Sequence, residues 1–248
     1  MRGEAWWLLA GPAVLVAGLA SAQTPEPTTI SVSGSLEAVS RYVWRGLALS
    51  PGWVVQPTVT VERSGLWLSL WGDVVAEGER RGEFDELDPT LGYDLEYGDL
   101  SITPSLVAYH YVGQPGVPDT AELCLELSVP VGPFSLTTSH SVDVRSYHGA
   151  YYGEVGASWE RELDDAPLTL AATFGVGWGS SRFNEAYAER RATTFDAATL
   201  DLAVTWRLST AAVVRAHLAR SVVINGGLRA RADEPDLLFG GIALELER

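Results

Sequence analysis

From Glu86 the chain reads E-L-D-P-T-L-G-Y-D-L-E-Y, with the apolar side chains Leu87, Leu91, Tyr93, Leu95 and Tyr97 on odd positions and the acidic ones on even positions. A helix would scatter these residues around its circumference, whereas an extended strand sorts them onto opposite faces. The same period returns at 30–44, 53–61, 121–129, 151–159, 168–178 and 198–206, with further copies near 65–76, 99–111, 134–143, 210–220 and 236–246. The pattern predicts an all-β chain of about twelve strands, most of them near the ~9–11 residues that cross a bilayer at a tilt.

Alternation by itself also suits a soluble sandwich, whose apolar face points inward. Loop lengths and aromatic placement point instead to a membrane barrel. Connections near 63–65, 97–99, 130–133, 160–167 and 207–210 are short, while those near 77–85, 112–119, 179–195 and 220–235 are longer and polar. Taken in order they alternate, which matches the short periplasmic turns and long external loops of an outer-membrane barrel. The apolar faces also tend to end in rings, at Tyr42, Trp44, Trp53, Tyr97, Trp159, Trp178 and Trp206. Those seven are expected to collect at the two membrane interfaces, where amphipathic rings are favoured.

Parts of the pattern conflict. Within 65–76, Leu66, Leu68 and Leu70 share one face while Trp67 and Trp71 take the other, so the register is ambiguous or a bulge intervenes. His110 and His140 fall on the face assigned to lipid.

The first residues bear on the compartment. Arg2 precedes an apolar run from Trp6 to Leu19 that ends in Ala20-Ser21-Ala22. This is expected to be a signal peptide over 1–22, cleaved before Gln23, because the run is shorter than the ~20 residues of a membrane span. Residues 23–248 then form one barrel domain. With only Cys124 available, no internal disulfide can staple the exported chain. A net charge of −15 without any basic tract argues against nucleic acid as a partner.

The polar strand faces place Glu37, Asp94, Glu122, Glu126, Glu154 and Asp201 beside Arg41, Arg45, Arg207 and Arg215. These ten are the expected lumen-lining residues, and their acidic excess would favour cations in an open pore. Arg41 and Arg45, four apart on one strand face, would each need its own acidic partner. Enzymatic chemistry finds little support. Outer-membrane lipid hydrolases place histidine and serine two apart on a lipid-facing strand, and no H-x-S occurs. The four histidines are isolated, so neither a metal site nor a cofactor is expected. Glu77, Glu79, Glu83, Asp85, Glu86 and Asp88 form an acidic stretch read as a solvated external loop.

Ser40-Arg41-Tyr42-Val43-Trp44-Arg45-Gly46 resembles the opening signature of the TorF-type (Gcw_chp-like) family of outer-membrane porins, and 236–244 is similar to that family's last strand. The resemblance implies a twelve-strand barrel in the cell outer membrane, with outer-membrane lipid and the barrel-assembly machinery as partners. It brings no substrate and no catalytic residue. Such barrels usually end on an aromatic, and this chain ends Leu244-Glu245-Leu246-Glu247-Arg248.

The sequence therefore points to an up-and-down antiparallel transmembrane β-barrel that passes small polar solutes or ions and is not an enzyme. The alternatives are a non-conducting structural or adhesive barrel acting through its loops, a lipid-modifying barrel enzyme, and a soluble exported β protein. Oligomeric state is left open.

Overall fold

The computed structural model describes residues 29–50 and 52–247, so the expected leader over 1–22 lies outside the described residues. In chain order the elements are β1 (Ser31–Val39), β2 (Val43–Trp44), β3 (Leu47–Ala48), β4 (Val54–Arg63), β5 (Leu66–Val75), β6 (Phe84–Tyr93), β7 (Leu95–Tyr97), β8 (Leu100–Tyr109), β9 (Thr120–Val131), β10 (Phe134–Asp143), β11 (Tyr151–Glu162), β12 (Leu168–Gly179), α1 (Ser181–Ala188), β13 (Thr194–Ser209), β14 (Ala212–Val223), α2 (Gly226–Arg229) and β15 (Asp236–Glu247).

Strands β6 and β7 are one wall strand interrupted at Asp94, and twelve antiparallel wall strands result. Neighbours in sequence pair in space, β1 joins β15, and β6 joins β8, so the sheet closes on itself. Closure removes the unpaired edges that an open sheet would present.

Polarity is inverted relative to a water-soluble protein. The outer face exposes large apolar side chains all the way round, among them Leu36, Leu68, Leu123, Phe174, Leu218 and Ile242. Buried positions are instead polar, as at Thr58, Ser69, Glu122, Thr137, Asp143 and Ser221. An apolar belt of this extent is unfavourable in water and favourable in hydrocarbon. Among the described residues no helix is long and apolar enough to cross a membrane, so a crossing would be made by strands.

One end of the barrel carries tight turns. Ser64 and Gly65 both have positive φ, the mirror-image turn whose twist suits a hairpin. The other end carries the connections 40–53, 76–83, 110–119, 144–150, 180–193 and 224–235. The alternation of short and long connections is thus as the sequence implies, with 144–150 an additional loop.

Two strand assignments need correction. The first wall strand stops at Val39, short of Trp44, and 40–53 is a loop that contains the small β2–β3 hairpin. In β5 the leucine face of Leu66, Leu68 and Leu70 is exposed, while Ser69, Trp71 and Asp73 are buried toward the lumen. The suspected irregularity exists, as a register shift against β6 between Asp73 and Val74. Trp67 also turns inward. Its ring lies where a side chain at Gly92 would stand, so the absence of a Cβ at Gly92 makes room for it.

Candidate functional site

The half of the lumen near the long loops is filled by a plug. The plug begins with loop 40–53. The Tyr42 backbone N–H donates to Ser50 Oγ at 2.7 Å, and Leu49 N–H donates to the Tyr42 carbonyl, which folds the loop back on itself. At its tip Arg45 and Gly46 have φ of 51° and 82°. Left-handed backbone costs a non-glycine residue of order 1–3 kcal/mol, so arginine at this position is held there by its side chain.

That side chain reaches β9. The Arg45 guanidinium donates to both Glu122 oxygens, at 2.8 and 2.6 Å, and Tyr109 Oη donates to Glu122 Oε2 at 2.9 Å. Strand β9 lies five places from β1 around the ring, so this contact crosses the lumen. Three rings flank the guanidinium, with Trp44, Tyr152 and Phe183 centroids at 4.3, 4.6 and 5.4 Å. Burial works against the charge of Arg45, and the Glu122 carboxylate more than offsets it, leaving the guanidinium pKa raised.

Three loops add the remaining aromatic packing. Trp44 meets Tyr109 and Phe183, Phe183 meets Tyr152 and Tyr187, and Tyr187 meets Tyr147. Helix α1, which carries Phe183 and Tyr187, is capped by Ser180, whose side chain accepts from Phe183 N–H. The buried apolar cluster of this molecule is therefore inside the mouth of the barrel, where loop residues such as Trp44 and Phe183 pack against Val39, Val54, Trp71 and Tyr152 of the wall.

Gly46 lies against the β13 wall, where an added Cβ would collide with Ala197. Gly46→Val is expected to lower unfolding free energy by about 1–3 kcal/mol and to expose loop 40–53 to protease, because a β-branched residue is strained at that φ and overpacks the wall. Unchanged protection of the loop would show that the hairpin does not depend on this close approach.

Two of the expected interface rings, Tyr42 and Trp44, belong to the plug and are buried at 7% and 3% exposure. The alternation alone implies strand here, because Tyr42 and Trp44 continue the period of β1. Trp53, Tyr97 and Trp206 are exposed, and Trp159 and Trp178 sit on outward faces beside Val155 and Phe174. Trp53 and Trp178 stand at the loop end, and Tyr97, Trp159 and Trp206 at the turn end.

The lumen residues separate into groups. Arg41 pairs with Glu234 in the last loop and Arg45 with Glu122, so each arginine has its own acid, though neither is on a strand. Glu37, Asp201 and Arg215 meet around His217, which is not among the ten expected lumen residues. His217 Nδ1 is 2.6 Å from Asp201 Oδ2, its Nε2 is 3.1 Å from Glu37 Oε1, and Arg215 donates to Asp201 Oδ1 at 3.1 Å. The signal was present, since His217 lies two residues from Arg215 on the same strand face.

Glu126 and Glu154 flank Ser139 in register across β9, β10 and β11, and Asp94 accepts from Thr103 at 2.8 Å on the next strand but one. This arc lies on the turn side of the plug, and among the described residues no cation pairs with Glu126 or Glu154. Arg207 stands exposed at the turn end.

The acidic stretch 77–88 is not a single external loop. Glu86 and Asp88 belong to β6 and are buried in the lumen wall at 2% exposure each. Both lie on the polar face of the alternation, which was the available clue. Tyr42 Oη is buried above them, and its pKa is raised, first by burial and then by Glu86, Asp88 and Asp73.

Outside, His110 is exposed and paired with Asp119 at 2.6 Å. Hydrogen bonding to His110 is the main reason the Asp119 carboxyl lies below its ordinary range. His140 bonds Tyr151 Oη at 2.7 Å and packs edge-on to Trp178, within the aromatic band at the loop end. Thr138 Oγ1 is 3.2 Å from His140 Nε2, a hydroxyl and an imidazole two apart on an outward face. Thr138 spends its proton on the Glu154 carbonyl at 3.0 Å, so toward His140 it is an acceptor and not an activated nucleophile. Among the described residues no three His, Cys, Asp or Glu side chains converge as metal ligands.

A family model described as "Bacterial protein of unknown function (Gcw_chp)" matches residues 21–222. No curated protein is similar enough in sequence to count as a relative. Among solved structures, the NanC porin is similar at 9% identity and a TM-score of 0.53, over 88% of this chain and 99% of that one. The KdgM porin is similar at 8% identity and a TM-score of 0.52, over 87% of this chain and 98% of that one. KdgM in complex with disordered oligogalacturonate gives 7% identity and a TM-score of 0.53, with the same coverage. At these identities the shared property is the fold.

Proposed function

The chain belongs to the Gcw_chp family, and on that footing we propose that it is an outer-membrane channel for small polar solutes or ions, with a preference for cations. The observation that carries this reading is the inversion of polarity in a closed barrel: apolar side chains outside, carboxylates within. Such a wall needs lipid on one side and water or ions on the other. The likeness to porin folds supports it, and the same reading includes a leader over 1–22 and, as partners, outer-membrane lipid and the barrel-assembly machinery.

Cation preference follows from the carboxylates of Glu126 and Glu154, which have no ion-pair partner among the described residues and would raise the local concentration of positive ions. The same charges would repel a polyuronate such as the oligogalacturonate found with KdgM. Loop 40–53 spans the lumen above this arc, so passage requires the hairpin either to leave a gap beside it or to swing away.

Single-channel current in planar bilayers under a salt gradient tests the proposal. Discrete conductance with a cation-positive reversal potential is expected, and in a Glu126→Gln, Glu154→Gln variant that potential moves toward zero. A folded, heat-modifiable barrel that carries no current would defeat the channel reading. The aromatic plug would then favour a second one, a non-conducting barrel that acts through loops 180–193 and 224–235.

A further inference from the structure

Five carboxylates, Asp73, Glu86, Asp88, Glu122 and Asp143, line one side of the plugged half, each at 1–2% exposure. Two are satisfied. Glu122 holds Arg45, and Asp143 accepts from Thr120 Oγ1 and from the backbone N–H groups of Arg145 and Tyr147. Asp73 accepts one bond, from Gln56 Nε2 at 3.0 Å. Among the described residues Glu86 Oε2 and both oxygens of Asp88 make no hydrogen bond, and neither does the hydroxyl of Tyr42. Asp73 is directly across from Glu86 in the β5–β6 register, and Asp88 is two residues along the same face. Burying several ionised carboxylates together without a counter-charge costs several kcal/mol per ion, so the group either holds protons or takes up positive charge, and a cation that enters displaces those protons.

The lumen shows what kind of positive charge such a setting takes. One station consists of Glu122, the Tyr109 hydroxyl and the Trp44 ring, and a guanidinium fills it. The second consists of Glu86 and Asp88, the Tyr42 hydroxyl and the Trp71 ring, which lies 5.3 Å from that of Tyr42. Carboxylate, phenol and indole recur in both. The two stations adjoin, because the Leu87–His110 bridge sets Asp88 opposite Tyr109. In the second the acids do not converge as metal ligands. Successive same-face residues on a strand stand about 6.8 Å apart, a spacing suited to a planar, multi-donor cation.

We propose that Glu86 and Asp88, with Asp73 and the Tyr42 hydroxyl, form a binding station for the guanidinium or primary ammonium group of a solute, and that Arg45 is a tethered copy of that group in the neighbouring station. The inference rests on the channel reading for how the solute arrives. Because Tyr42 and Arg45 share loop 40–53 and the two stations adjoin, a solute held by the Tyr42 hydroxyl, Glu86 and Asp88 sits beside Arg45 and can compete with it for Glu122, so the preferred solute loosens its own barrier.

The test is an equilibrium titration of the refolded chain in detergent micelles, read by tryptophan fluorescence and calorimetry, which needs no current. The probes are methylguanidinium, its neutral isostere methylurea, and sodium at matched ionic strength. Methylguanidinium should bind saturably and methylurea should not. Glu86→Gln, Asp88→Asn should weaken binding about tenfold or more, as loss of hydrogen bonds to charged acceptors implies. Glu185→Gln, on the outer helix, serves as a charge control and should bind as the parent does. Three results would each overturn the proposal: no methylguanidinium binding, binding that sodium matches, or binding that survives the double substitution. Heat-modifiable mobility confirms that each variant is folded. Binding without conductance would sink the channel and leave the station, whereas conductance without binding would do the reverse.

Discussion

Arg45→Ala is expected to destabilise the barrel by about 3–5 kcal/mol, because it leaves the buried Glu122 carboxylate without its partner. The side chains of the pair are 7% and 2% exposed, so water cannot take over the role of the guanidinium without the plug opening. Adding Glu122→Gln to Arg45→Ala should recover most of the loss, since the neutral amide can still accept from Tyr109 and no longer carries an orphan charge. The cycle is measured by denaturant unfolding followed by gel mobility. The same single variant removes the only ion pair that ties the tip of loop 40–53 across the lumen among the described residues, so single-channel current should rise and become noisier. If Arg45→Ala were as stable as the parent, the hairpin would be held by its aromatic packing alone, and Arg45 would not be its latch.

Ile242→Arg should cost about 2–4 kcal/mol, the penalty for a charged residue near the middle of the lipid face of a barrel. Ile242 is central in β15 and 60% exposed, and its outward direction is set by the β1 and β14 registers. Ile242→Ala keeps the face apolar and should cost much less. Unfolding of the three proteins in lipid vesicles gives the comparison. Equal losses for Arg and Ala would mean that Ile242 packs against protein and not against lipid, which would undo the assignment of inside and outside for the whole sheet.

That assignment was legible in advance because it depends on parity. Successive side chains on a strand alternate faces, so the run 86–97 sorts Leu91 and Tyr93 outward and Glu86 and Asp88 inward whatever the neighbouring strands do. The same rule placed Glu37, Glu122, Glu126, Glu154, Asp201 and Arg215 in the lumen. It failed where the chain leaves the sheet. Ser40 to Trp44 keeps the period of β1, and only the turn back through Ser50 and the left-handed Arg45–Gly46 pair shows that it is loop. Trp67 and Trp71 conflict with the simple pattern because an inward tryptophan is out of place in a wet lumen. Gly92 and Tyr42, which give those rings space and company, are remote in sequence.

The sequence by itself therefore determined the class of fold, the strand count, the sides on which long and short connections lie, and which face of each strand is polar. These are local properties, fixed by a two-residue repeat and by turn length. Tertiary structure alone decided that loop 40–53 enters the barrel, that Arg45 spans it to Glu122, that His217 joins Glu37 to Asp201, and that Glu86 and Asp88 are buried with no ion pair among the described residues. Each of these depends on which strands face one another across a closed ring, and closure brings together residues whose separation along the chain carries no periodic signal.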